Sequence, residues 1–106
     1  DLIEQVLINL IRNSIDAVTT CPQEPQIIIE AAQESGYTTL SVTDNGCGIA
    51  PSSFDQIFVP FFTTKQNGSG IGLSLSRQIV QLHGGTIYFR SEPNSSTTFT
   101  IRIPKE

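Results

Sequence analysis

The sequence is short of basic residues, of cysteine and of long apolar runs, and each shortage excludes something. Lys and Arg total 6 against 10 acidic residues, giving a net charge of −4, and no basic run offers a nucleic-acid face. The apolar stretches last only a few residues, too short for a bilayer span, so no membrane contact is expected of this domain. No signal-peptide pattern opens the chain; it starts directly on a helical pattern, as expected of a fragment of a longer protein. Two cysteines, Cys21 and Cys47, fit neither a zinc spacing nor a CxxC pair and read as free thiols in a reducing compartment. At 106 residues and 38% hydrophobic, the chain can form one domain with a modest core; it shows no repeat and no second domain.

Helical periodicity runs from Leu2 to Val18, with Ile3, Leu7, Leu10, Ile11, Ser14 and Val18 on one face. Cys21-Pro22 and Glu24-Pro25 break it. Strand patterns follow at Gln26–Ala32 and Tyr37–Thr43, joined by a Ser35-Gly36 turn. A short helix around Ser52–Phe58, capped by Ser52 or Ser53, interrupts an otherwise unpatterned stretch from Asp44 to Gly72. A second helix, Leu73–Leu82, stops at Gly84 and Gly85. Strands at Thr86–Ser91 and Thr97–Ile103 close the chain. The pattern predicts an α/β (α+β) two-layer sandwich, a mixed, mostly antiparallel sheet with helices on one face.

Four segments carry chemistry. Asn9 and Asn13, four residues apart, leave one helix face together with Asp16, away from the apolar face. The stripe is either a solvated polar face or a source of hard amide oxygen for Mg²⁺ carried on a polyphosphate. Asp44-Asn45-Gly46-Cys47-Gly48-Ile49 follows a strand directly. It is either an ordinary turn or a close approach of backbone to a flat ligand, with the carboxylate accepting from an exocyclic amine such as that of adenine. Phe58-Val59-Pro60-Phe61-Phe62-Thr63-Thr64-Lys65 is either a small satellite core or the anchor of a lid, with Lys65 reaching for phosphate. Gly68-Ser69-Gly70-Ile71-Gly72-Leu73 runs into the second helix, where exposed amides and the dipole favour phosphate. Its spacing is not the dinucleotide fingerprint, no strand precedes it, and the Walker A pattern is absent.

In order and spacing these segments resemble the histidine-kinase branch of the ATPase superfamily that also holds gyrase, mismatch-repair and heat-shock chaperone ATPases. Asn9 to Asn13 resembles its asparagine box, and Asp44-x-Gly46-x-Gly48 its first glycine box. Phe58-Val59-Pro60-Phe61-Phe62 is similar to its phenylalanine box, and Gly68-x-Gly70-x-Gly72-Leu73 to its second glycine box. Thr97-Thr98-Phe99, ahead of Pro104, is similar to its terminal threonine motif.

The resemblance implies the Bergerat ATP-binding fold, with ATP and Mg²⁺ as cofactors. Asn13 would ligate the metal, and Asp44 would take the adenine amine. Gly46, Gly48 and Ile49 would lie along the base, and Thr98 would help hold it. Phe58, Thr64, Lys65, Gly68, Gly70, Ile71, Gly72 and Leu73 would line the nucleotide under a short lid running from about Phe61 to Ser69. Asn9 stands where the gyrase-like members carry a general-base Glu. A neutral amide takes no proton near neutral pH, so Asn9 and Lys65 would position ATP for transfer rather than hydrolyse it. Asp16 occupies a position that is basic in many members, which leaves Lys65 as the substitute. His83 lacks the acidic neighbour and coiled-coil setting of a phosphoacceptor and reads as a helix-terminal residue. The acceptor would be a histidine on the dimerisation domain of the same kinase, with a response regulator downstream and a cytoplasmic setting. The alternatives are a stand-alone protein-serine kinase or nucleotide-binding module of the anti-sigma-factor type, or a regulatory domain that has lost ATP.

Overall fold

A computed structural model describes residues 2–19, 24–59, 72–92 and 95–104. The element order is α1 (Leu2–Thr19), β1 (Ile27–Glu34), β2 (Tyr37–Asp44), a 3-10 turn (Pro51–Ser53), α2 (Gly72–Leu82), β3 (Thr86–Glu92) and β4 (Ser96–Pro104). The four strands form one sheet in the order β1-β2-β4-β3. All three pairings are antiparallel, so the sheet is not mixed among the described residues.

Alternation gives the sheet two different faces. The register lines up rows of side chains under the helices: Ile29, Val42, Phe99 and Phe89 in one, Ala31, Leu40, Ile101 and Ile87 in the next. Val42, Phe99, Ile101 and Ile87 are buried there with Val6 and Leu10 of α1 and Ile79 and Val80 of α2. α1 packs on α2 and over β2, and α2 lies against β3. β1 overhangs this cover, leaving Ile28 at 44% and Ile29 at 50% exposure on opposite faces. The other sheet face carries hydroxyls, with Ser41 against Thr100 at 3.2 Å and Thr43 against Thr98 at 3.0 Å.

Local chemistry accounts for the boundaries. Ser35-Gly36 closes the first hairpin, Gly36 taking a φ of 79° that other residues resist. The helix expected around Ser52–Phe58 is only the single turn Pro51–Ser53 followed by further turns. Its first residue is a proline and neither serine caps it; Ala50 holds the cap position without a side-chain bond. α2 ends in a Schellman arrangement: Gly85 N–H donates to Val80 O at 2.9 Å and Gly84 N–H to Gln81 O at 3.0 Å, with Gly84 at φ 76°. His83 belongs to this cap, its Nδ1 lying 2.9 Å from Ile79 O.

Gly85 is held by packing as well: a Cβ there would collide with the backbone carbonyl of Arg102 on β4. Gly85→Ala should therefore lower stability by about 1–3 kcal/mol, the usual cost of overpacking. Thermal unfolding measures it. A variant as stable as the native chain would refute the close approach of the α2–β3 turn to β4.

Candidate functional site

The row of side chains beyond Val42 and Phe99, at the end of the helix-covered face, changes character. It consists of Ile27, Asp44, Thr97 and Ser91, three polar groups where the neighbouring rows are apolar. Asp44 is 3% exposed and Thr97 4%. Thr97 Oγ1 lies 2.9 Å from Ser91 Oγ, and Asp44 Oδ1 accepts the Gly46 N–H at 2.9 Å. A carboxylate has more acceptor capacity than one amide uses, so Asp44 can still receive an amine.

The loop leaving Asp44 is fixed on several sides. Gly46 lies so close to α1 that a Cβ would stand 2.7 Å from the Ala17 backbone. Gly48 sits at φ 77°, in the left-handed region. Ile49 N–H donates to Ser91 Oγ at 2.7 Å. Asn45 fastens the loop to the segment entering β1: its Oδ1 accepts Gln26 N–H at 2.9 Å and its Nδ2 donates to Glu24 O at 2.7 Å.

α1 carries a polar line from this loop to the start of α2. Ala17 touches Gly46, and Asn13 and Asn9 lie one and two turns back on the same side, about 12 Å along the axis. Asn9 and Asn13 are half-buried rather than turned to solvent. Asp16 of the stripe is exposed as expected, but Asn9 is not turned away from the core: its Nδ2 donates to Ser76 Oγ of α2 at 3.3 Å, and Ser76 is fully buried. Gln5 Nε2 donates to Asn9 Oδ1 at 3.5 Å. α2 begins at Gly72, so its positive dipole end lies one turn before Ser76, the residue that Asn9 meets. Leu73 packs on the core.

The two readings of the aromatic segment can be compared at Phe58. Its ring joins a satellite core: it meets Phe89 at 6.2 Å between centroids, and Phe89 meets Phe54 at 5.1 Å and Phe99 at 5.7 Å. Arg77 of α2 lies over the Phe58 ring at 5.6 Å. Thr64, Lys65, Gly68, Gly70 and Ile71 lie outside the described residues.

The structure thus brings together Asp44, Gly46, Gly48 and Ile49, and lines up Asn13 and Asn9 along α1, one and two turns from the Gly46 contact. It does not bring Thr98 to Asp44. Thr98 is on the opposite sheet face, bonded to Thr43, while Thr97 is the partner of Asp44. The sequence names Thr97 only as part of the threonine motif and does not single out Ser91; strand alternation counted back from the inward Phe99 and Phe89 is the signal for both. The expectation of free thiols is also overturned, since Cys47 is disulfide-bonded. The reason is spatial: contact between Gly46 and Ala17 brings the Cys47 loop to the end of α1, a proximity that separation in sequence conceals. The chain's other cysteine, Cys21, lies outside the described residues.

Over residues 1–106 the chain matches the family described as histidine kinase-, DNA gyrase B-, and HSP90-like ATPase. It is 42% identical over 104 residues to the sensor histidine kinase ZraS of Escherichia coli (strain K12), a match covering 98% of this chain and 22% of that protein. It is 41% identical over 103 residues to the C4-dicarboxylate transport sensor protein DctB of Rhizobium meliloti, covering 97% of this chain and 16% of that one. This chain therefore spans less than a quarter of the length of these relatives. Its fold superposes on the nucleotide-free catalytic domain of histidine kinase ThkA with a TM-score of 0.84 and 38% identity, over 98% of this chain and 66% of that one.

Asn45 makes a stability test of the loop. Asn45→Ala removes both side-chain bonds and should cost about 1–3 kcal/mol, with faster hydrogen exchange at the Gln26 amide. Asn45→Asp keeps the acceptor for Gln26 and should fall between. Unchanged exchange at Gln26 in Asn45→Ala would show that Asn45 does not hold the segment.

Proposed function

The chain belongs to the histidine kinase-, DNA gyrase B- and HSP90-like ATPase family, and we propose that it is the domain with which a sensor histidine kinase binds ATP and offers its γ-phosphate to a histidine on a separate dimerisation domain. The observation that carries this is the polar row at the end of an otherwise apolar sheet face, opening onto a glycine loop. Such a row suits a flat base with polar edges. Asp44 accepts the adenine amine, and Thr97 takes the role that the resemblance gave to Thr98, because Thr97 shares the Asp44 face. Gly46, Gly48 and Ile49 supply backbone beside the base.

Asn13 fits Mg²⁺ held on the phosphates. One amide oxygen is a hard but incomplete donor set, and Mg²⁺ commonly completes its shell with phosphate oxygens and water. When bound, the metal neutralises phosphate charge. Asn9, held by Ser76 and Gln5, places an amide and not a base on the same line. The α2 N-terminus at Gly72 and Leu73 adds its dipole, and the resemblance places Thr64, Lys65, Gly68, Gly70 and Ile71 along the nucleotide, with Gly70 at the phosphates. Phe58 acts through packing beside α2. Phosphoryl transfer asks for placement and charge stabilisation more than for covalent chemistry, and this set supplies both. The resemblance adds a response regulator as the expected downstream partner, and a cytoplasmic position follows from the need for ATP. No helix among the described residues is long and apolar enough to cross a membrane.

Calorimetric titration tests the site. ATP should bind more tightly than GTP, because Asp44 would face a carbonyl in guanine, a mismatch worth about 1–3 kcal/mol. Asp44→Asn should weaken ATP and blur the preference, and Thr97→Val should weaken ATP more than Thr98→Val does. Asn13→Ala should remove the Mg²⁺-dependent part of ATP affinity and spare metal-free ADP. Equal native affinities for ATP and GTP would reject the role of Asp44.

Radiolabelled γ-phosphate tests the reaction. The chain alone should hydrolyse ATP slowly and take no label, whereas a matched dimerisation domain added in trans should become weakly labelled, lacking the effective concentration of a tether. Acid-labile label on His83, or brisk hydrolysis that survives Asn9→Ala, would overturn the kinase reading.

A further inference from the structure

Ser91 makes more connections than any other side chain in the polar row. Its Oγ accepts the Ile49 N–H at 2.7 Å, stands 2.9 Å from Thr97 Oγ1 and reaches Ser96 O at 3.3 Å. Phe89 and Ile87, the residues that precede it on the same face of β3, are apolar and serve the core. Ser91 is half-buried, with no neighbour of that kind to pack against in its own row, only Thr97. A hydroxyl has one proton and two lone pairs, and here each direction has a use: one acceptor site takes the loop amide, and the proton goes to Thr97 or to the Ser96 carbonyl.

The consequence is geometric. Ile49 ends the loop that begins at Asp44, and Thr97 is the residue opposite Asp44 on β4. Ser91 therefore ties together the far end of the loop and the side chain facing its near end. Without that hydroxyl, Ile49 N–H loses its partner, and the loop beyond Gly48, at φ 77°, loses the bond that ties it to β3. The Thr97 hydroxyl would be free to rotate.

We propose that Ser91 is a positioning residue for base recognition: without touching the nucleotide, it holds Ile49 and Thr97 in the register that lets Asp44 discriminate adenine from guanine. The proposal rests on the reading of Asp44 and Thr97 as the base site.

The test is a set of Ser91 variants titrated with ATP and with GTP, alongside thermal unfolding. Ser91→Ala should weaken ATP binding roughly three- to tenfold, the effect of one ordinary hydrogen bond, and bring the ATP-to-GTP ratio toward one. The increment in affinity due to Mg²⁺ should stay at its native value, since the phosphate end is untouched. Ser91→Thr and Ser91→Val share a shape that strands accept and differ by the hydroxyl, so Thr should restore the ratio and Val should not. This pair decides the matter if Ser91→Ala does not fold. Equal losses for ATP and GTP, tracking the loss of thermal stability, would reduce Ser91 to a structural residue and overturn the proposal. So would a native ratio in Ser91→Val. If Asp44→Asn erases the preference and Ser91→Ala leaves it intact, Ser91 alone is refuted; if the native chain shows no preference, the base site falls and the proposal with it.

Discussion

Where β2 meets β4, the antiparallel register sets Asp44 opposite Thr97 at the last inward position of the ladder. Everything proposed for the base site depends on that pairing. A slip of one residue would turn Asp44 and Val42 to the outer face and bring Thr43 inward, so the register that buries the core also places the carboxylate. Three inward apolar positions on β4, Phe99, Ile101 and Ile103, hold it in place. Core packing and site geometry are thus one constraint, and the polar row costs little stability because its members bond to one another and to the loop.

α1 extends that constraint toward the start of α2. Ala17 meets Gly46 without an intervening side chain, and two turns away Asn9 meets Ser76. Small residues at both contacts, Gly46 and Ser76, allow one rigid helix to serve as a spacer between the glycine loop and the start of α2. A helix sets such a distance more reliably than a loop, which suits a reaction whose catalysis is mostly alignment.

Much of this was legible in the sequence. Periodicity marks both helices and β4, β-branched and apolar runs mark the other strands among the described residues, and Gly84-Gly85 marks the end of α2 through the left-handed φ that the cap requires. The glycine spacing and the Asn9–Asn13 pair carry the family resemblance because residue types and intervals survive without coordinates. What was missed depends on cross-strand neighbours. Thr97 and Thr98 are equivalent in composition, and only the inward direction of Phe99 separates them. Ser91 is one of several strand hydroxyls in the sequence, and only the fold brings the Ile49 N–H to it. The residue types of Ser52–Phe58 permit a helix, but Pro51 opens a single turn and Phe54, Ile57 and Phe58 are drawn into packing. The state of Cys47 depends on where α1 ends in space, which no local pattern encodes.

The overhang of β1 bears on how the chain behaves in company. Its outer edge has no partner strand among the described residues, and Ile28 and Ile29 present apolar surface on both sides of it. Glu30 and Glu34 stand on that same strand, so two copies approaching edge to edge bring carboxylates together. Such protection is electrostatic and hence conditional on the solvent. The Debye length falls from about 10 Å at 0.1 M ionic strength to about 3 Å at 1 M, so concentrated salt weakens the repulsion and leaves the bare edge to mutual pairing.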